Sequence, residues 1–121
     1  KTDTFPSFYS LDSGFKTTYH THSYKEIAYI IEKQKLLNRA IIITNPPPKS
    51  SAINSEDINK WTDIALIEVK KNNITGHKIT PYILKRLREL SGGSTLKTNM
   101  DLILENSKLS SLIAKNLKII I

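Results

Sequence analysis

At 121 residues, 39% hydrophobic and 24% charged, the chain has the size of one small domain and the composition of a folded rather than a disordered protein. Its 18 Lys and Arg against 11 Asp and Glu leave a formal charge of +7, which attracts anions without selecting one. The absence of cysteine excludes a disulfide framework, a thiolate zinc site and a thiol nucleophile together.

No apolar run approaches the roughly 20 residues a membrane-crossing helix needs, and Lys1 to Tyr9 lacks the apolar centre of a signal peptide. A soluble protein without a membrane partner is therefore expected, its compartment unknown from sequence and the cytoplasm the first expectation. The chain opens at Lys1 rather than at a methionine, as expected of a piece of a longer protein.

Lys1 to Thr21 shows no helical period but carries Phe5, Pro6, Phe8, Tyr9, Phe15 and Tyr19 among Ser, Thr and Asp, and reads as an extended or looping arm. His20 and His22 alternate, so an extended backbone would direct both to one side and offer a metal ion two ligands. Lacking a third ligand, they read first as surface histidines, as does His77 in its loop. Ser23-Tyr24-Lys25-Glu26 is a capping box, and Ile27, Ile30 and Ile31 follow at helical spacing, which predicts a helix to about Leu37.

Ala40 to Thr44 is short, apolar and β-branched, and Asn45-Pro46-Pro47-Pro48 stops it abruptly. Those are the marks of a strand buried on both faces. Such a strand needs hydrogen-bonding neighbours, and the chain offers no second convincing one, so its partners are expected elsewhere.

Ser55 is the predicted cap of a second helix, with Glu56 and Asp57 in its first turn, Lys70 and Lys71 in its last, and Ile58, Trp61, Ala65 and Val69 as its apolar stripe. Thr80 is the predicted cap and Pro81 the predicted first residue of a third helix running to about Leu90, with Ile83, Leu87 and Leu90 inward. Gly92-Gly93 ends it, Ser94 or Thr95 caps a fourth, and that helix is expected to reach Asn116. Leu96, Met100, Ile103 and Leu104 form its predicted apolar face, and Ser107, Ser110 and Ser111 a small, close-packing one. Nothing divides residues 1–121 into two domains.

Most candidate functional residues have a plain reading. Gly92-Gly93 before a helix can cradle phosphate, but a helix stop is the commoner use. Lys97 can attract phosphate or simply be solvated. Glu56, Asp57, Asp63, Glu68, Glu89, Asp101 and Glu105 show no pair arranged for acid/base work. The lysines lie mostly on polar helix sides, which reads as solvated surface rather than a nucleic-acid footprint. Asn99, one turn inside the fourth helix, is on residue type alone a local hydrogen-bonding residue.

Thr80-Pro81-Tyr82-Ile83-Leu84, followed by Leu90-Ser91-Gly92-Gly93-Ser94-Thr95-Leu96-Lys97-Thr98-Asn99, resembles a block of the pseudouridine-5'-phosphate glycosidases, the pseudouridylate synthase or indigoidine synthase A-like family. There the pattern is T-P-(aromatic)-L-L, then L-(T/S)-G-G-x-S-L-x-(S/T)-N. Thr2-Asp3-Thr4-Phe5-Pro6-Ser7-Phe8-Tyr9 is similar to the family's T-D-x-F-P-A-F-Y, and the part from Asn45-Pro46 to Asn106 follows in order. Arg39-Ala40 stand where the family usually has two glycines, and Pro47 and His77 also depart from its commoner residues.

The resemblance implies an α/β fold: the C-terminal part of a single α/β/α glycosidase domain, helix-rich with one clear buried strand. It also implies reversible cleavage of pseudouridine 5'-phosphate, by water, to uracil and ribose 5-phosphate. Carbon–carbon cleavage offers no good leaving heteroatom to protonate, so the family uses a Schiff-base lysine, a glutamate, and an aspartate that helps hold Mn2+. All belong to the N-terminal part, leaving no catalytic residue and no metal ligand here. Asn99 is the implied substrate-binding residue, against the base, and the complete protein is implied to be a homotrimer acting on a small nucleotide rather than on nucleic acid. The alternative from the residues alone is a non-catalytic basic helical module that binds a protein or nucleic-acid partner.

Overall fold

The computed structural model describes residues 3–120, with side chains to residue 117. Four helices follow an N-terminal arm: α1 (Tyr24–Lys35), α2 (Ser55–Lys71), α3 (Ile79–Leu90) and α4 (Ser94–Ile120), with a single 3₁₀ turn, Gly76–Lys78, leading into α3. Helix α1 packs on α4 and α2 on α3, and a smaller α3–α4 contact joins the two pairs.

The arm doubles back on itself. Phe5 and Phe15 share a backbone hydrogen bond of 2.7 Å, Thr17 N–H donates to Asp3 at 2.9 Å, and Thr4 and Lys16 form an isolated antiparallel bridge. Its Tyr9 is buried, and the Tyr9 carbonyl accepts from Ile53 at 2.9 Å, which ties the arm to the entry of α2.

The helix starts follow the sequence with local changes. Ser23 caps α1 by accepting from Glu26 N–H at 3.2 Å, but the capping box closes only on that side. The Glu26 carboxylate instead accepts from the Tyr19 and Thr21 hydroxyls, and Thr21 Oγ1 takes the Ser23 amide. Those two hydroxyl donors hold the Glu26 carboxyl below the usual carboxylate range. Asn54, not Ser55, caps α2, accepting from Glu56 N–H at 2.9 Å. The third helix begins at Ile79 with no side-chain cap, because the 3₁₀ turn feeds directly into it; Thr80 therefore lies inside the helix rather than capping it, and Pro81 is its third residue rather than its first.

The predicted strand is not there. Residues 39–48 carry no regular secondary structure, and Ile41, Ile42 and Ile43 are 37%, 84% and 41% exposed. A strand exists only through pairing, and among the described residues nothing pairs with this segment. The fold is accordingly helix-rich without the buried strand.

The α4 face also differs from its period. Thr95, Thr98, Leu102 and Ile113 are buried, whereas Leu96, Met100, Ile103 and Leu104 are 39%, 58%, 58% and 60% exposed. Ser107, Ser110 and Ser111 do not pack closely either. They are exposed, and each hydroxyl donates back to the carbonyl four residues earlier. The stripes of α2 and α3 hold, with Ala65, Val69 and Leu87 buried.

Candidate functional site at the start of the fourth helix

The α3–α4 corner is built by two glycines. Gly92 and Gly93 adopt φ values of +58° and +87°, a region that costs any other L-residue on the order of 1–2 kcal/mol. Gly92 N–H donates to Glu89 O at 3.2 Å and Gly93 N–H to Arg88 O at 2.9 Å, the paired bonds of a Schellman stop. A Cβ on either glycine would meet nothing within 4 Å, so backbone angle alone calls for glycine here.

This corner is not an anion cradle. Ser94 N–H donates to Ser91 O and Thr95 N–H to Ser91 Oγ, both at 3.2 Å. Leu96 and Lys97 N–H both reach Gly93 O, at 3.1 and 3.2 Å. With its first amides satisfied internally, α4 presents no open N-terminal nest, and the helix-stop reading of Gly92-Gly93 holds. The cap is the Ser91 hydroxyl rather than that of Ser94 or Thr95.

Thr98 sets the rotation of α4. It is fully buried, and its hydroxyl donates to Ser51 O and is shared with Ser94 O at 3.0 Å. Ser51 belongs to the turn after the triple proline, where Ser51 and Ala52 N–H both reach Pro48 O, at 3.0 and 2.9 Å. One buried hydroxyl thus fixes α4 against the loop that follows the 40–46 segment. Leaving such a carbonyl unmatched would cost on the order of 1–3 kcal/mol.

Beside Thr98 stands Asn99, half-buried. Asn116, on the same helix, donates its amide back to Leu112 O at 2.8 Å, the local bonding expected of a helical asparagine. Among the described residues the Asn99 carboxamide has no hydrogen-bond partner, so its donors and its acceptor are unspent by the fold. Seven residues on, and hence on the same side of the helix, Asn106 Oδ1 accepts from Asn45 Nδ2 at 3.1 Å. That pair anchors the end of the 40–46 segment on α4. It joins residues 61 apart, and only their shared place in the matched block signalled it in the sequence.

The other sequence candidates fall elsewhere. Lys97 pairs with Asp101 at 2.6 Å, and its ammonium holds the Asp101 carboxyl below the usual range. Glu68 receives Arg86 Nε at 2.8 and 3.1 Å and the Tyr82 hydroxyl at 3.0 Å, while Arg86 Nη1 reaches Glu89 at 3.1 Å. The Arg86 guanidinium holds the Glu68 carboxyl below the usual range, so this cluster is a tie between α2 and α3. His20 and His22 come together edge to face with ring centres 6.5 Å apart, and His77 is exposed in the 3₁₀ turn. Among the described residues no three His, Cys, Asp or Glu side chains are placed to hold a metal ion, and two imidazoles do not make a manganese site. No helix among the described residues is long and apolar enough to cross a membrane.

The sequence profile for Indigoidine synthase A like protein matches residues 1–116. The chain belongs to that family. It is 40% identical over 119 residues to a pseudouridine-5'-phosphate glycosidase of Geobacillus kaustophilus, covering 97% of this chain and 40% of the relative. The like-named protein of Petrotoga mobilis is 38% identical over 99% of this chain and 40% of its own length. Among solved structures, an indigoidine synthase A-like protein from Thermotoga maritima superposes with a TM-score of 0.82 at 30% identity, over 98% of this chain and 38% of that one. The prealnumycin C-glycosynthase AlnA, in complex with ribulose 5-phosphate, superposes with a TM-score of 0.90 at 21% identity, over 98% and 40%, and shares the fold. The chain therefore spans about two fifths of the length of the curated relatives it matches.

Proposed function

We propose that this chain is the base-facing, C-terminal part of a pseudouridine-5'-phosphate glycosidase. The complete protein would reversibly convert pseudouridine 5'-phosphate and water into uracil and ribose 5-phosphate. The observation that carries this reading is Asn99: an amide unspent by the fold, half-buried, at the position where the resembling block has its substrate asparagine. A carboxamide offers a donor pair and an acceptor, which match the alternating N–H and C=O groups along the edge of uracil.

Two further observations support the substrate class. The relatives carry the glycosidase name, and AlnA, which shares the fold, is a C-glycosynthase in complex with a pentulose phosphate. The formal charge of +7 favours a phosphorylated substrate over a neutral one. The Schiff-base lysine, the acid/base carboxylate and the manganese ligands of this reading lie outside residues 1–121. Among the described residues no His, Asp or Glu cluster fits a metal ion. A soluble cytoplasmic homotrimer completes the reading.

The test is uracil release from pseudouridine 5'-phosphate by a chimera in which this chain replaces the matched region of the Geobacillus kaustophilus relative. Turnover by the chimera and none by the 121-residue chain alone is expected. A folded chimera that releases no uracil overturns the proposal.

A further inference from the structure

Among the described residues the Asn99 amide has no partner, so nothing at the head of the side chain fixes its aim. The aim comes from the backbone of α4. Side-chain heads lie about 5–6 Å from a helix axis, so a rotation of about 10° swings one by on the order of 1 Å. A displacement of that size at a reacting group can cost on the order of 100-fold in rate. Whatever holds the rotation of α4 therefore aims Asn99.

Two hydrogen bonds from α4 run to the same short loop. Thr98, the neighbour of Asn99, is fully buried and its hydroxyl donates to Ser51 O. Asn106, about 12 Å further along the helix, accepts from Asn45 Nδ2 at 3.1 Å. Asn99 lies on the helix between these anchors. A single anchor leaves a helix free to pivot, whereas two set its rotation and its tilt together.

The loop that joins the anchors is stiff. Residues 46–48 are all proline, each with φ fixed near −65°, and Pro47 is fully buried. Beyond them Ser51 and Ala52 N–H both close on Pro48 O, at 3.0 and 2.9 Å, and Ile53 N–H donates to Tyr9 O at 2.9 Å. The result is a short strut, tied to Asn106 at its Asn45 end and to Thr98 at its Ser51 end.

We propose that the 45–51 loop is a brace that aims the Asn99 amide, with Thr98 and Asn106 as positioning residues that act through Asn99 without touching substrate. This inference rests on the glycosidase reading and deepens it. A threonine that only stabilised the fold would affect turnover equally with and without the amide; a threonine that aims the amide affects turnover only while the amide is there.

A double-mutant cycle on uracil release by the active chimera separates the two, with folding of each variant checked by circular dichroism at the assay temperature. Thr98→Val should lower kcat/KM by about tenfold or more, and Thr98→Ser, which keeps the hydroxyl, should stay within about threefold of the parent. In an Asn99→Ala background, adding Thr98→Val should change kcat/KM by less than about threefold. Asn106→Ala, at the exposed anchor, should follow the same pattern with a loss of about threefold to tenfold, and it decides the matter if Thr98→Val does not fold. Equal penalties with and without the Asn99 amide, or folded variants as active as the parent, overturn the brace and leave the glycosidase reading standing. If Asn99→Ala turns over substrate like the parent, or the chimera releases no uracil, the underlying reading fails and the brace fails with it.

Discussion

The α3–α4 corner and the 40–46 segment lie at opposite extremes of self-sufficiency. In the corner, the amides of Gly92, Gly93 and the first turn of α4 all find acceptors from Leu87 to Gly93 or close by in sequence. In the segment, three consecutive isoleucines stand exposed and the backbone has no ladder partner among the described residues. The turn of the corner is set by bonds within it, whereas the segment has no strand pairing among the described residues. The substrate-positioning role proposed for Asn99 suits the first kind of structure, and Asn99 is there.

That contrast can be broken by substitution. The largest effect is expected from Leu87→Ala, which opens a cavity in the α2–α3 packing that leads into the corner. It should lower unfolding free energy by about 2–5 kcal/mol in a denaturant titration. Thr98→Val keeps the shape but strands the Ser51 carbonyl, and should cost about 1–3 kcal/mol. Gly92→Ala meets no clash yet must hold a left-handed backbone, so a loss of about 1–2 kcal/mol is expected. At the other extreme, Ile42→Ser in this chain alone should shift stability by less than about 0.5 kcal/mol, because the side chain is 84% exposed. A cost from Ile42→Ser as large as that of Leu87→Ala would mean that the segment is already part of a closed core.

A smaller effect is expected from pH. Glu68 and Glu26 both have carboxyl groups held below their ordinary range, by Arg86 and by the Thr21 and Tyr19 hydroxyls respectively. A depressed folded-state pKa means that the unfolded chain binds more protons. The stability these groups contribute is therefore full above the ordinary carboxylate pKa of about 4.3 and is lost as pH falls through the folded value. Glu68→Gln should flatten part of that acid limb in unfolding midpoints taken from pH 6 downward. An unchanged acid limb would remove the Arg86–Glu68 tie from the account.

What the sequence made legible follows the same division. Stops and starts are written within a few residues, so the Ser23 cap and the Gly92-Gly93 stop could be read directly, while the caps expected at Ser55, Thr80 and Ser94 or Thr95 gave way to Asn54, to the 3₁₀ turn and to Ser91. The strand expected at Ala40 to Thr44 did not form, because β-branched chemistry alone makes no strand without a pairing neighbour, and none is present among the described residues. On α4 the hydrophobic period selected Leu96, Met100, Ile103 and Leu104, yet the helix turns Thr95 and Thr98 inward. Hydrogen bonds from Thr95 to Ser91 and from Thr98 to Ser51 make those polar positions the buried ones, and periodicity does not register such bonds. Asn99 was marked by the matched block, and only the structure showed that its amide is unspent.

On the proposed function the corner presents that amide to substrate, and turnover of pseudouridine 5'-phosphate by Asn99 variants of the active chimera tests this most directly. Asn99→Ala should reduce kcat/KM by roughly tenfold to more than a hundredfold, corresponding to about 1–3 kcal/mol, with the unfolding midpoint nearly unchanged. Asn99→Asp, which keeps the shape but exchanges the donors for a negative acceptor beside a phosphorylated substrate, should lose at least as much. Variants that stay folded and turn over substrate like the parent would make Asn99 an ordinary helix residue and contradict the account.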